Sequence, residues 1–132
     1  CRLCRRCIGA GPCPRASTDR FVGCVAPGEL RKQWSLIRRS DRVGVPKALA
    51  RHGGTIDLAH YDSDKSYEGR MLTYPRMWNA LRPGGILISD DVADNIGFHD
   101  YCRDLGVEPV IISVTTHEGG SLDKYAGVLI KR

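Results

Sequence analysis

Residues 55–69 read TIDLAHYDSDKSYEG, an apolar run through Tyr61 that gives way to Asp62, Ser63, Asp64 and Lys65. A second apolar run, 86–89, also ends in acids, Asp90 and Asp91. In open α/β sheets, ligands bind beyond the carboxyl ends of the strands. If the two runs are neighbouring parallel strands, Asp62, Asp90 and Asp91 face one crevice. Three uncompensated anions repel, and one pKa rises. A divalent metal resolves that conflict, and an oxygen-only ligand set suits Mg²⁺ best, or Mn²⁺. Such an ion would hold two oxygens of a hydroxylated substrate and acidify one, with Asp64 or Lys65 taking the proton. The competing reading is that each acid caps a helix or faces solvent, as Asp90 and Asp91 could before Asn95. For any single acid that reading holds its own; the coincidence of two acidic strand ends favours function. His60 lies inside its run and reads as a core histidine, while His52, His99 and His117 have no partner in the pattern.

Regular elements must hold these residues. The run 55–61 predicts a buried strand. Residues 66–81 carry Met71, Tyr74, Met77, Trp78 and Leu81 at helical spacing. Pro75 predicts either a kink there or a second helical piece capped by Thr73. Residues 82–85 read as a turn and 86–89 as a strand. An amphipathic helix over 95–105 shows Phe98, Tyr101, Cys102 and Leu105 on one face and stops at Gly106. Strands follow at 109–114 and 125–130, with a turn at 117–120. Upstream, 27–32 suggests a short helix, 34–37 a short strand, and 46–52 a helix ended by Gly53 and Gly54. Alternating strands and helices predict an α/β fold: a parallel sheet with helices on both faces, right-handed crossovers, and an antiparallel final strand pair.

The 132 residues suffice for one domain. They contain no run of about 18 apolar residues, so no membrane span is expected. The net charge of +5 is unevenly distributed. Residues 1–55 hold twelve bases against three acids, and the remainder eight against twelve. Such asymmetry suits a nucleic-acid-binding arm, but an ordinary solvated arginine-rich segment explains it better. Cys1, Cys4, Cys7 and Cys13 read C-x2-C-x2-C-x5-C, near an iron–sulfur run but differently spaced, and without the second ligand pair of a zinc finger. Incidental thiols are favoured over a metal site, and disulfides come last because nothing signals export. A cytoplasmic location is the expectation. Cys102 reads as a small buried residue. The chain divides into an irregular Cys/Arg-rich segment, 1–25, and a folded part, 26–132.

The combined pattern IDLAHYDSDKSYEGRM…WNALRPGGILISDDV resembles the fourth strand, fourth helix and fifth strand of class I S-adenosylmethionine-dependent methyltransferases. Within them it is most similar to small-molecule O-methyltransferases of the macrocin type. PGELRKQWSLI…VPKALARHGG is similar to the segment that precedes these elements. The resemblance spans 26–132 and implies methyl transfer to a hydroxyl of a small molecule. By position it implies Asp62, Asp90 and Asp91 as metal ligands, as in the metal-dependent members, and Asp64 as general base. Asp62 would also lie beside the methionine end of the cofactor. Ser40 and Asp41 stand near the adenine, in altered order. The family's first strand and acidic-x-Gly-x-Gly turn are not found before residue 26. CIGAGPCP has glycines, but no apolar strand before them and no amphipathic helix after. The expectation is therefore the C-terminal portion of a Rossmann-like methyltransferase fold with its N-terminal strands missing. Such a chain would by itself bind S-adenosylmethionine weakly or not at all. Its strand 55–61 would be an exposed apolar edge that invites pairing, making a homo-oligomer one expectation. Neither nucleic acid nor membrane is an expected partner. The rivals are a basic Cys-rich metal or nucleic-acid module on a degenerate α/β domain, and a non-catalytic remnant.

Overall fold

The computed structural model describes residues 25–115 and 123–132. The cysteine run at 1–13, most of the segment 1–25 and the turn at 117–120 lie outside them. Eight elements follow in order: α1 (Gly28–Arg31), α2 (Asp41–Arg51), β1 (Ile56–Tyr61), α3 (Tyr67–Ala80), β2 (Leu81–Ser89), α4 (Gly97–Leu105), β3 (Val110–Thr115) and β4 (Asp123–Ile130). The four strands form one sheet in the order β1-β2-β4-β3. β1 and β2 are parallel, with Ala59 opposite Leu87 and Tyr61 opposite Ser89. β4 runs antiparallel to both β2 and β3. This is the mixed α/β sheet with a terminal antiparallel pair that the alternation predicts.

Side chains alternate across the sheet because strand periodicity is two. Ala59, Tyr61, Leu87, Ser89, Gly127 and Leu129 are buried on one face. α3 packs there on β1 and β2, with α2 and α4 beside it. Leu58, His60, Ile86, Ile88 and Val128, on the other face, are only half-buried among the described residues. His60 therefore belongs to the face of the sheet opposite α3. At the centre of the covered side, Tyr74 packs its ring 5.1 Å from Tyr61, 5.3 Å from Tyr101 and 6.0 Å from Phe98. Each edge-on aromatic pair of this kind adds about 1 kcal/mol beyond its buried area.

Several elements differ from their sequence expectation. Residues 34–37 form no strand, and Trp34 and Leu36 are exposed. A four-residue apolar run cannot hold a strand conformation without a neighbour to pair with. α2 begins at Asp41, five residues before the expected start, and carries Pro46 inside it. Proline lacks the N–H that would bond the carbonyl four residues back. That carbonyl belongs to Arg42, and Arg76 of α3 donates Nη1–H to it at 3.3 Å. α3 likewise runs unbroken through Pro75, so Thr73 starts no second piece. Residues 82–85 belong to β2, whose irregular start includes a register shift against β1. Gly106, at φ 64°, ends α4 as expected.

Candidate active site

The carboxyl ends of β1 and β2 stand side by side. The Asp90 N–H donates to the Tyr61 carbonyl at 2.9 Å, carrying the parallel pairing one step past the strands. That step places Asp62, Asp90 and Asp91 together, each offering a carboxylate oxygen within 4.8 Å of the others. Asp90 Oδ1 accepts the Asp91 N–H at 3.0 Å. Asp91 is left-handed, φ 49°, the sole non-glycine residue with positive φ among those described.

Lys65 stands among these acids. Its Nζ lies 2.8 Å from Asp62 Oδ1 and 2.8 Å from Asp91 Oδ2. Lys124 approaches Asp91 Oδ1 at 3.9 Å. The Lys65 hydrogen bond holds the Asp62 carboxyl below the ordinary carboxylate range. Burial pushes the Lys65 ammonium down, but its bonds to Asp62 and Asp91 outweigh that and raise it overall. A lysine kept protonated has no lone pair to accept a proton. Its place in the geometry is that of a cation, which bears on the expectation that Lys65 could serve as the base. The same ammonium bears on metal binding. The donor set is the oxygen-only kind that suits Mg²⁺, but two of its three acids already share Lys65. As arranged, the residues do not fit a divalent ion.

The loop carrying Lys65 is fixed from several sides. Tyr61 Oη donates to the Asp64 carbonyl at 2.6 Å, and Asn95 Nδ2 donates to the Lys65 carbonyl at 2.6 Å. Asp64 Oδ1 accepts the Ser66 N–H at 2.9 Å, which lowers the Asp64 pKa. Ser66 is the N-cap of α3, its Oγ accepting the Gly69 N–H at 3.0 Å. Asp64 is exposed and, among the described residues, has no ion pair.

Asp41, 22 residues before Ser63, reaches the same end of the sheet. Ser63 Oγ donates to its Oδ1 at 2.9 Å. Asp41 is buried, and among the described residues its Oδ2 has no hydrogen-bond partner. A buried carboxylate oxygen without a donor is costly to leave so, and it fits a ligand that brings an N–H or O–H.

Sequence patterning missed Arg70. It is completely buried on α3 and makes no carboxylate ion pair among the described residues. Its Nη2 donates to the Asp91 carbonyl at 2.7 Å, and Nη1 to Tyr74 Oη at 2.9 Å and Ser89 Oγ at 3.4 Å. The available signal was spacing: Arg70 precedes Tyr74 by one helical turn, on the buried stripe.

A family described as "Methyltransferase domain" matches residues 5–92, which include α2, β1, α3, β2 and both acidic strand ends. The chain belongs to this methyltransferase family. No curated protein matches it significantly. Among solved structures, cofactor-bound Rv0187 from MTB superposes with a TM-score of 0.66 at 16% identity, over 95% of this chain and 61% of that one. Apo CalS11, a TDP-rhamnose 3'-O-methyltransferase of calicheamicin biosynthesis, gives 0.59 at 16%, over 90% of this chain and 56% of that one. At these identities the likeness is one of fold, and it supports a Rossmann-like methyltransferase fold. This methyltransferase-family chain spans about three-fifths of their length. None of its described helices is long and apolar enough to cross a membrane.

Proposed function

We propose that the chain is the C-terminal portion of an S-adenosylmethionine-dependent methyltransferase that acts on a hydroxyl of a small molecule. The observation that carries the reading is the meeting of Asp62, Asp90 and Asp91 beyond two parallel strands of a methyltransferase-family chain. S-adenosylmethionine, when bound, supplies an electrophilic methyl group on a positively charged sulfur. The orphaned Oδ2 of Asp41 suits the adenosyl end, as an acceptor for an amine or hydroxyl. Asp62 suits the sulfonium end, as an anion beside a cation. Asp64, exposed and in no ion pair among the described residues, is the carboxylate we assign to take the proton from the acceptor hydroxyl. The Ser66 N–H bond lowers its pKa, so it is ionised at neutral pH. The likeness to CalS11, a TDP-rhamnose 3'-O-methyltransferase, makes a sugar hydroxyl the first acceptor to try.

The test uses the protein as the cell makes it. Methyl-labelled S-adenosylmethionine is offered with nucleotide sugars and other hydroxylated small molecules. Label should appear as an ether-linked methyl group. Asp64→Asn should lower kcat by about 10²-fold or more, the usual share of a general base. Asp41→Ala should weaken cofactor binding. Absence of cofactor binding in the protein as the cell makes it, as distinct from this chain alone, would remove the proposal.

A further inference from the structure

We propose that Lys65 is the resident counter-cation of the acidic crevice and holds the place a divalent ion would take. The inference rests on the proposed function for the charge of the molecule received there; the ion-pair geometry stands independently of it. Lys65 Nζ bridges Asp62 and Asp91 with two 2.8 Å contacts, joining the acids of two different strand ends. Bridging carboxylates from separate elements is the structural work of a metal ion. Lys65 does not arrive there by a loose side chain alone. Its backbone carbonyl is clasped by Asn95, and the preceding residue's by Tyr61.

A divalent ion bound by three carboxylates would have to approach each at about 2.0–2.1 Å, inside the space the ammonium now fills. Both cations in one cluster would repel strongly at that range. Charge also favours the lysine. Among the described residues, three carboxylates facing Lys65 and Lys124 leave a single net negative charge, which a sulfonium neutralises. A dication added to that cluster would leave a positive crevice beside a positive cofactor. The site is thereby suited to orienting a sulfonium and an acceptor hydroxyl without a metal.

Mn²⁺ titration of the protein, followed by loss of the free-ion paramagnetic resonance signal, tests this directly. The unaltered protein and Lys65→Arg should take up no Mn²⁺ in the submillimolar range. Lys65→Met should bind at least about tenfold more tightly, because a cation is removed from among three anions. Adding Asp62→Asn to Lys65→Met should abolish the gain, which separates this site from ions bound elsewhere. Stoichiometric uptake by the unaltered protein would overturn the proposal. So would a Lys65→Met protein without the gain, or a gain that survives Asp62→Asn. These readings need no turnover: the same pattern in a protein that transfers no methyl group would sink the functional reading and leave Lys65 in its place.

Discussion

Arg70 Nη2 donates to the carbonyl of Asp91 at 2.7 Å, and Asp91 is the residue whose backbone is left-handed. A buried guanidinium thus holds a crevice acid in a conformation that costs a non-glycine residue about 1–3 kcal/mol. Arg70→Met should remove that hold and leave Tyr74 and Ser89 short of a donor. A loss of about 2–3 kcal/mol is expected in denaturant unfolding. The strain itself is separately measurable. Asp91→Gly should be more stable than Asp91→Ala by about 1 kcal/mol, because glycine accepts positive φ freely.

Gly127 of β4 lies directly beneath the Phe98 ring, and a Cβ there would collide with the ring carbons. Gly127→Ala should cost about 1–3 kcal/mol by overpacking. Phe98→Leu in the same chain should recover part of the loss, and a thermal melt of the two variants checks it.

Lys131 Nζ donates to the carbonyls of Trp78, Asn79 and Leu81 at 2.9, 3.2 and 2.8 Å. It supplies a cation and three donors at the C-terminal end of α3, which has no basic residue in its own last turn. Lys131→Met should lower stability by about 1 kcal/mol. The midpoint of chemical unfolding reports it.

Burial raises the Cys102 thiol to about 11 from 9.0, and raises Tyr61, Tyr74 and Tyr101 as well. These groups favour the folded state while protonated. Their contribution is complete below the unfolded pKa, 9.0 for the thiol, and is lost as pH rises through the folded value near 11. Stability should therefore decline above pH 9. At neutral pH, peptide mapping after alkylation should find Cys102 unlabelled until the protein is unfolded.

The elements around the site were legible where apolar residues set the period. β1, the second half of β2 and α4 follow their apolar runs, and Gly106 marks its stop through backbone geometry alone. The buried stripe of α3 was only partly legible. Tyr74, Met77 and Trp78 lie on it, but Arg70 and Thr73 are fully buried beside them while Met71 is only half-buried. Hydrophobicity cannot announce a buried arginine, since its partners are polar: the Tyr74 hydroxyl one turn along α3, the Ser89 hydroxyl and the Asp91 carbonyl. The part of α2 before Pro46 was hidden for a related reason. Pro46 argued against a helix through that position, and the answering donor, Arg76, comes from another helix. The grouping of Asp62, Asp90 and Asp91 followed from strand order. The ammonium between them did not, because spacing shows which charges are near without showing how they pair.

Asn95 bonds twice, through Nδ2 to the Lys65 carbonyl and through Oδ1 to the Gly97 N–H that opens α4. One amide thereby couples the loop after β1 to the helix after β2. The two cannot separate without breaking that link, so the loops flanking the crevice form one mechanical unit. A molecule that pushes on the start of α4 moves Lys65 with it, and any opening of the crevice takes both walls together.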